Sequence, residues 1–256
     1  MPWEPRCKPW FACQQSPKPP TARLTNDYFG NCLAIGAKLP LRLLCHKTEL
    51  QTISRYRMID CQERFNRAIA LFDAANAEDP NQDDGLPKEL LYAQRMTEMI
   101  DRFAPQAGEV SQLAVRAQHI RRWTVPRSNY PLGKPGYFAW RTGLYRFHAE
   151  TAGELMRQAG YDEATIAQVM AAVGKEGIKT NPDTQMVEDV SSLVFMEHYM
   201  LGFAGQHAEY SEEKWLGIIR KTWKKMSEDA RTFATSGGIR LPEALVPLIQ
   251  KAIASE

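Results

Sequence analysis

A change in sequence character near Met58 constrains the fold of this chain more than any other feature. Downstream of it, apolar residues recur at the spacing of an amphipathic helix, first at Phe65, Ala68, Ile69 and Phe72. Upstream, residues 1–57 have no sustained helical or strand period, few acidic residues and many Lys, Arg and Pro residues. We therefore predict one folded domain over residues 58–256 and exclude residues 1–57 from it.

Residues 1–57 have three competing explanations. A start codon assigned too far upstream would make Met58 the true start, whereas a transit-type leader would share the basic, acid-poor composition. An ordered extension with a metal site is the third, but its four cysteines lack the tight CxxC pairing that zinc sites favour. These cysteines are Cys7, Cys13, Cys32 and Cys45. We treat the segment as a disordered or wrongly assigned extension.

The pattern of the domain predicts an all-α fold of seven or eight helices. Proline and glycine punctuate the apolar periodicity, and no stretch alternates with period two, so we predict no sheet. The predicted helices are one that ends before Asp79, then 88–103, 108–123, 138–158, 162–173, 182–206 and 211–235, and a short one after Pro242.

Overall composition narrows the classes of partner. A net charge of +2 is close to neutral, which disfavours a nucleic-acid partner. No apolar run approaches the roughly 18 residues that span a bilayer, so we expect no membrane partner. The domain has a single cysteine, Cys61, which fits a reducing compartment, and we expect a cytoplasmic protein.

Histidine and carboxylate side chains form a candidate metal site. We predict that His119, His148 and Asp189 (or Glu188 in its place) bind one divalent metal, Zn, Mn or Fe, because imidazole and carboxylate are ligands of these ions. Glu150 and Glu188 are the predicted catalytic carboxylates, with Glu150 as general base. A structural interpretation competes at each position. Helical spacing places His119 opposite the apolar stripe, in solvent. His148 would be a partly buried helix histidine, and the acidic pair 188–189 would complement a helix dipole.

A basic and aromatic segment follows the third predicted helix. Arginine forks suit phosphate or carboxylate oxygens, and aromatic faces suit a base or a guanidinium. The candidate ligand-binding residues are Arg121, Arg122, Trp123, Arg127, Tyr137, Trp140 and Arg141. The alternative is that the aromatic residues fix a long loop while the arginines are solvated. A second basic run at 220–225 is interpreted as a solvated helix surface.

Several long strings lie between Met58 and about Ala234: RFNRAIALFDAAN, PKELLYAQRMT, AQHIRRW, PRSNYPLG, WRTGLYRFHAE, EDVSSLVF and KTWKKMS. Together they resemble an uncharacterised domain-of-unknown-function family, number 4202. The resemblance implies no established activity. It does imply that Met58 is a natural start, since the pattern of the family begins there.

Four strings carry a second, more distant resemblance: YAQRMTEMI, QLAVRAQHI, FHAETAGELMRQAGYDEATIAQVMAAV and EDVSSLVF. They resemble segments of the HD superfamily of metal phosphohydrolases. The usual ligands are partly replaced, since Tyr92 stands for the first histidine and Gln118-His119 for the His-Asp pair, and Lys175 stands near a further histidine. His148 and Asp189 match best. The resemblance implies an HD-like helical framework with a rearranged or absent metal site.

Three functions follow as hypotheses. The first is a metal-dependent hydrolase that acts on a phosphorylated or nucleotide-like small molecule, with the metal lowering the pKa of a bound water. The second is a metal-free HD-like module, without a cofactor, that binds a nucleotide or acidic ligand. RNA binding is the third, and near-neutral charge disfavours it.

Overall fold

Helices follow one another through most of the computed structural model, which describes residues 60–254. They are α1 (60–77), α2 (Lys88–Phe103), α3 (Glu109–Arg116), α4 (Gly133–Ala159), α5 (Glu163–Val173), α6 (Pro182–Val194), α7 (Met200–Gln206), α8 (Glu212–Lys225), α9 (Glu228–Thr235) and α10 (Val246–Ile253). The all-α prediction is confirmed. The expectations for residues 1–57 and for a start at Met58 lie outside the described residues.

One small hairpin contradicts the expectation of no sheet. Strands β1 (Gln82–Asp83) and β2 (Leu86–Pro87) pair antiparallel around a turn at Asp84 and Gly85. Both turn residues have positive φ, 49° and 77°, and an Asp-Gly pair is a common sequence at such turns. Strands of two residues are too short to give a period-two pattern, which is why the sequence did not reveal them.

Helix α6 lies at the centre of the unit that begins at Arg64. Helices α2, α3 and α5 pack on it, and α4 packs along α5. Its buried apolar side chains are Val187, Val190, Leu193 and Val194. Full burial of such a side chain contributes roughly 1.5–3 kcal/mol, so this central helix anchors the elements that surround it. No helix among the described residues is both long and apolar enough to cross a membrane.

Two predicted helices have different bounds from those the sequence suggested. The third ends at Arg116 instead of Trp123, and Arg121 then adopts a left-handed conformation with φ of 51°. The fourth begins at Gly133 instead of Phe138. Its first turn needs a glycine at 136, because a Cβ there would lie 1.9 Å from the carbonyl oxygen of Pro131.

The predicted sixth and seventh helices are each divided. A π-helical segment, Phe195–Tyr199, separates α6 from α7, and such segments often occur at functional sites. The seventh stops at Lys225, and Ser227 caps α9 by accepting a hydrogen bond from the amide of Ala230 at 3.2 Å. Continuous helical periodicity hides both breaks, because neither interrupts the apolar pattern.

Candidate functional site

A cavity of about 380 Å³ opens between the start of α2, the turn after α3, the first half of α4 and the end of α6. That volume falls in the range of small-molecule sites, about 300 to 1,000 Å³. Four cationic side chains line it: Lys88, Arg122, Arg141 and Lys175. Six aromatic ones do so as well: Tyr92, Tyr137, Trp140, Tyr145, Phe195 and Tyr199. The π-helical segment contributes the last two.

The structure brings seven of the sequence-predicted residues to this cavity. They are His119, Arg122, Tyr137, Trp140, Arg141, His148 and Glu188. Four of them come from the basic and aromatic segment that the sequence singled out. Three of the seven, at positions 137, 141 and 148, share one face of α4.

Five other predicted residues lie elsewhere. Glu150 is solvent-exposed and faces Arg146 at 3.8 Å, so the structure does not bring the predicted general base to the cavity. Arg121 pairs with Glu78, and Arg127 donates to the carbonyls of Tyr130 and Pro131. Trp123 is half-buried in the turn before α4 and does not line the cavity.

Asp189 contacts the residue that caps the start of α9 and does not line the cavity. Its Oδ1 accepts a hydrogen bond from the amide of Ser227 at 2.7 Å and another from Nε2 of Gln185 at 2.9 Å. Both partners lie outside the cavity lining. Asp189 therefore does not converge with the two predicted histidine ligands, although its neighbour Glu188 does line the cavity.

His119 lies in the cavity wall with both ring nitrogens engaged, and not in solvent as the spacing on a longer third helix suggested. Its ring stacks on Tyr92 with a centroid distance of 4.2 Å. Nε2 lies 2.9 Å from Nη1 of Arg122, and Nδ1 lies 3.4 Å from Oε2 of Glu89. Because a guanidinium can only donate, Nε2 accepts and Nδ1 carries the proton. Burial lowers the pKa of His119 well below its usual range, so the ring is neutral.

His148 is a buried residue of the same wall. Its Nδ1 donates to the carbonyl oxygen of Ile120 at 2.8 Å, whereas its Nε2 is buried without a hydrogen-bond partner in the described part of the chain. Burial, and then the neighbouring His119, lowers the pKa of His148 to about 3. The ring is therefore neutral with a free acceptor lone pair at Nε2.

Aromatic side chains position the two predicted arginines that line the cavity, Arg122 and Arg141. The guanidinium of Arg122 lies over the ring of Trp140 at 5.2 Å, and the Trp140 indole is fixed by its own hydrogen bond to the carbonyl of Val125. Arg141 donates from Nε to the hydroxyl of Tyr145 at 2.5 Å and from Nη1 to the hydroxyl of Tyr137 at 3.1 Å.

Glu89 is a cavity residue that the sequence analysis missed. Its carboxyl is buried beside His119, and burial raises its pKa from 4.5 to about 7, an effect that Arg122 partly offsets. In the sequence it was indistinguishable from the acidic residues that commonly stabilise the first turn of a helix.

Lys175 was also missed as a partner of Glu188. Its Nζ lies 2.5 Å from Oε2 of Glu188, and Nζ of Lys225 lies 3.2 Å from Oε1. Burial alone would raise the pKa of Glu188, but the two ammonium groups outweigh it and lower that pKa. Lys175 has a left-handed backbone with φ of 59°, and such strain is more frequent at functional sites.

The predicted metal-ligand set does not fit a metal ion. Both nitrogens of His119 have protein partners, and Asp189 faces Ser227. Among residues 60–254, no group of three or more His, Cys, Asp or Glu side chains is arranged to hold a metal.

Comparison with known proteins gives one match. The family model described as Domain of unknown function (DUF4202) matches residues 66–249. Searches of curated proteins and of solved structures found no match.

Proposed function

The chain belongs to the DUF4202 family, whose description names no activity, and we propose that the cavity binds a small molecule with a phosphate and a planar group. The observation that carries the proposal is the pair of arginines, Arg122 and Arg141. Each is fixed by aromatic side chains, and within residues 60–254 neither forms an ion pair with a carboxylate. The proposal corresponds to the second hypothesis from the sequence, a metal-free module for a nucleotide or acidic ligand.

Charge in the cavity favours an anion. Four cationic side chains stand against two carboxyls, and one of the carboxyls, Glu89, has a pKa raised to about 7. The other, Glu188, is already shared between Lys175 and Lys225. A phosphate would offset this positive excess, and arginine forks bind its oxygens through charge-assisted hydrogen bonds.

Aromatic side chains in the same wall favour a planar portion of the ligand. Trp140, Tyr137 and Tyr199 contribute ring surfaces to the cavity. The hydroxyls of Tyr137 and Tyr145 accept from Arg141, which leaves their own protons free to donate to a phosphate oxygen. Cations and ring faces in one cavity are the combination that a nucleotide-like molecule requires.

Calorimetric titration of the full chain with nucleoside monophosphates and with the matching nucleosides tests this proposal. We expect AMP or another monophosphate to bind and its nucleoside to bind at least tenfold more weakly, because each charge-assisted hydrogen bond is worth about 1.5–3 kcal/mol. Arg141→Gln is expected to weaken monophosphate binding by roughly tenfold to a hundredfold.

Arg146→Gln is the matched control for that titration. Arg146 lies on the same helix, and its side chain is 80% exposed and, among residues 60–254, pairs with the exposed Glu150. Its replacement is expected to leave affinity unchanged. Equal affinity for nucleoside and monophosphate would contradict the proposal, as would equal losses in the two variants or no binding of any nucleotide, phosphate or pyrophosphate at millimolar concentration.

A further inference from the structure

Two hydrogen-bond acceptors in the cavity wall are buried without a donor in the described part of the chain. They are Nε2 of His148 and Oε1 of Gln118. The side chains come from adjoining elements, since Gln118 lies in the turn after α3 and His148 on α4 contacts Ile120 of that same turn. Both residues line the cavity.

The role of His148 as an acceptor follows from its geometry. Nδ1 is committed as a donor to the carbonyl of Ile120 at 2.8 Å, so Nε2 of the neutral ring can only accept. The histidine is 3% exposed and the glutamine 5% exposed, so bulk water does not solvate either acceptor.

Leaving these acceptors unpaired is costly to the protein. A buried polar atom without a partner loses its hydration and gains nothing in return, and nearly all such atoms in folded proteins are paired. Both atoms belong to residues that line this one cavity, beside the proposed phosphate site.

We infer that the ligand, besides its phosphate, presents N–H donors on a planar heterocyclic base to His148 Nε2 and Gln118 Oε1. This inference rests on the proposed anion site. It identifies the ligand class as a base-bearing phosphate and distinguishes it from a sugar phosphate, because the aromatic wall of Trp140 and the tyrosines favours a planar donor.

The test compares three probes on the full chain: pyrophosphate, ribose 5-phosphate and AMP. The variant Gln118→Met keeps the side-chain volume and removes the acceptor. We expect it to weaken AMP binding about tenfold and to leave pyrophosphate binding unchanged, since only AMP carries an N–H donor. The ligand-free variant is expected to be at least as resistant to urea as the wild type, because an unpaired buried acceptor has been replaced by an apolar group.

Gln112→Met is the matched control, because Nε2 of Gln112 donates to the carbonyl of Ala107, away from the cavity. Gln112→Met is expected to leave the affinities for AMP and for pyrophosphate unchanged. The nitrogen chemical shift of His148 Nε2 gives a measurement without mutation, and it should move on addition of AMP but not of pyrophosphate.

Several results would overturn the inference. They are an equal loss of AMP and pyrophosphate binding in Gln118→Met, a lower stability of the ligand-free variant, or an unmoved nitrogen shift at saturating AMP. Ribose 5-phosphate binding that matches AMP in affinity and in sensitivity to Gln118→Met would assign the donors to sugar hydroxyls instead. If pyrophosphate and AMP both fail to bind the wild type, the proposed anion site itself is wrong.

Discussion

Nη1 of Arg122 lies 2.9 Å from Nε2 of His119, and this contact determines where the imidazole proton resides. Since the guanidinium cannot accept, the proton lies on Nδ1, which faces the carboxyl of Glu89 at 3.4 Å. His119 thus connects a buried acid to a cavity arginine and orients that arginine. The candidate site is organised around positioned cations and neutral acceptors.

Glu89 gives the pH dependence of stability. Its folded-state pKa, about 7, lies above the ordinary value of 4.5, so folding favours the neutral carboxyl. The neutral carboxyl therefore contributes to the free energy of unfolding, on the order of 3 kcal/mol. This contribution is fully present below pH 4.5 and is lost as the pH rises to about 7. The side chain of Glu89→Gln stays neutral, so the variant should gain stability relative to the wild type as the pH rises from 4.5 to about 7. Urea unfolding at several pH values measures this difference.

His148 acts in the opposite direction, because its pKa is lowered to about 3 and its contribution is lost as pH falls below 6.5. It is present in both proteins, so most of its contribution cancels in the difference; the Glu89 carboxylate has the smallest influence on the pKa of His148. A difference between Glu89→Gln and wild type that stays constant from pH 4.5 to 8 would show that the carboxyl is not buried as described.

The buried pair of Lys175 and Glu188 should be costly to break from one side. Lys175→Met leaves Glu188 with only the more exposed Lys225, and we expect a loss of about 3 kcal/mol in unfolding free energy. The double variant with Glu188→Gln should recover more than half of that loss, because no buried charge is then left unpaired. The exposed pair Arg157–Glu163 supplies the control, since Arg157→Met should cause no resolvable change. Similar losses for Lys175→Met and the double variant would contradict the account.

Asp189 is predicted to act on stability and not on binding. Asp189→Ala leaves the amide of Ser227 without its acceptor and removes one of the two acceptors of Gln185 Nε2, which should cost about 1–3 kcal/mol. Affinity for a nucleoside monophosphate should stay at the wild-type value. Urea unfolding measures the stability and calorimetry measures the affinity, on the same preparation of the variant. Weakened binding with unchanged stability would return Asp189 to the site that the sequence suggested.

The sequence was most informative where spacing on one helix decided the outcome. Arg141 and His148 follow the period of α4, so their shared face could be predicted without knowing any other element. Tyr137 joins that face because α4 begins at Gly133 and not at the predicted Phe138. Which of Glu188 and Asp189 faces the cavity could not be predicted in this way. Neighbours on a helix point about 100° apart, and only the position of α9 shows that Asp189 faces Ser227.

Contacts between segments that are distant in the sequence determine the features of the site that could not be predicted. His119 was placed by extending the third helix past Arg116, where the left-handed Arg121 in fact follows a turn. Glu89 belongs to a different helix from its partners, and its raised pKa depends on burial by elements far along the chain. The π-helical segment that brings Phe195 and Tyr199 to the cavity has no signature in the apolar pattern.

Locating a bound phosphate tests the central claim most directly. Crystals of the full chain soaked with AMP at a concentration that saturates calorimetric binding would give the position of the ligand. The account predicts the phosphate within hydrogen-bonding distance of Arg122 and Arg141 and the base against the wall that contains Gln118 and His148. Density confined to the basic surface of α8, or an empty cavity in a saturated crystal, would contradict it.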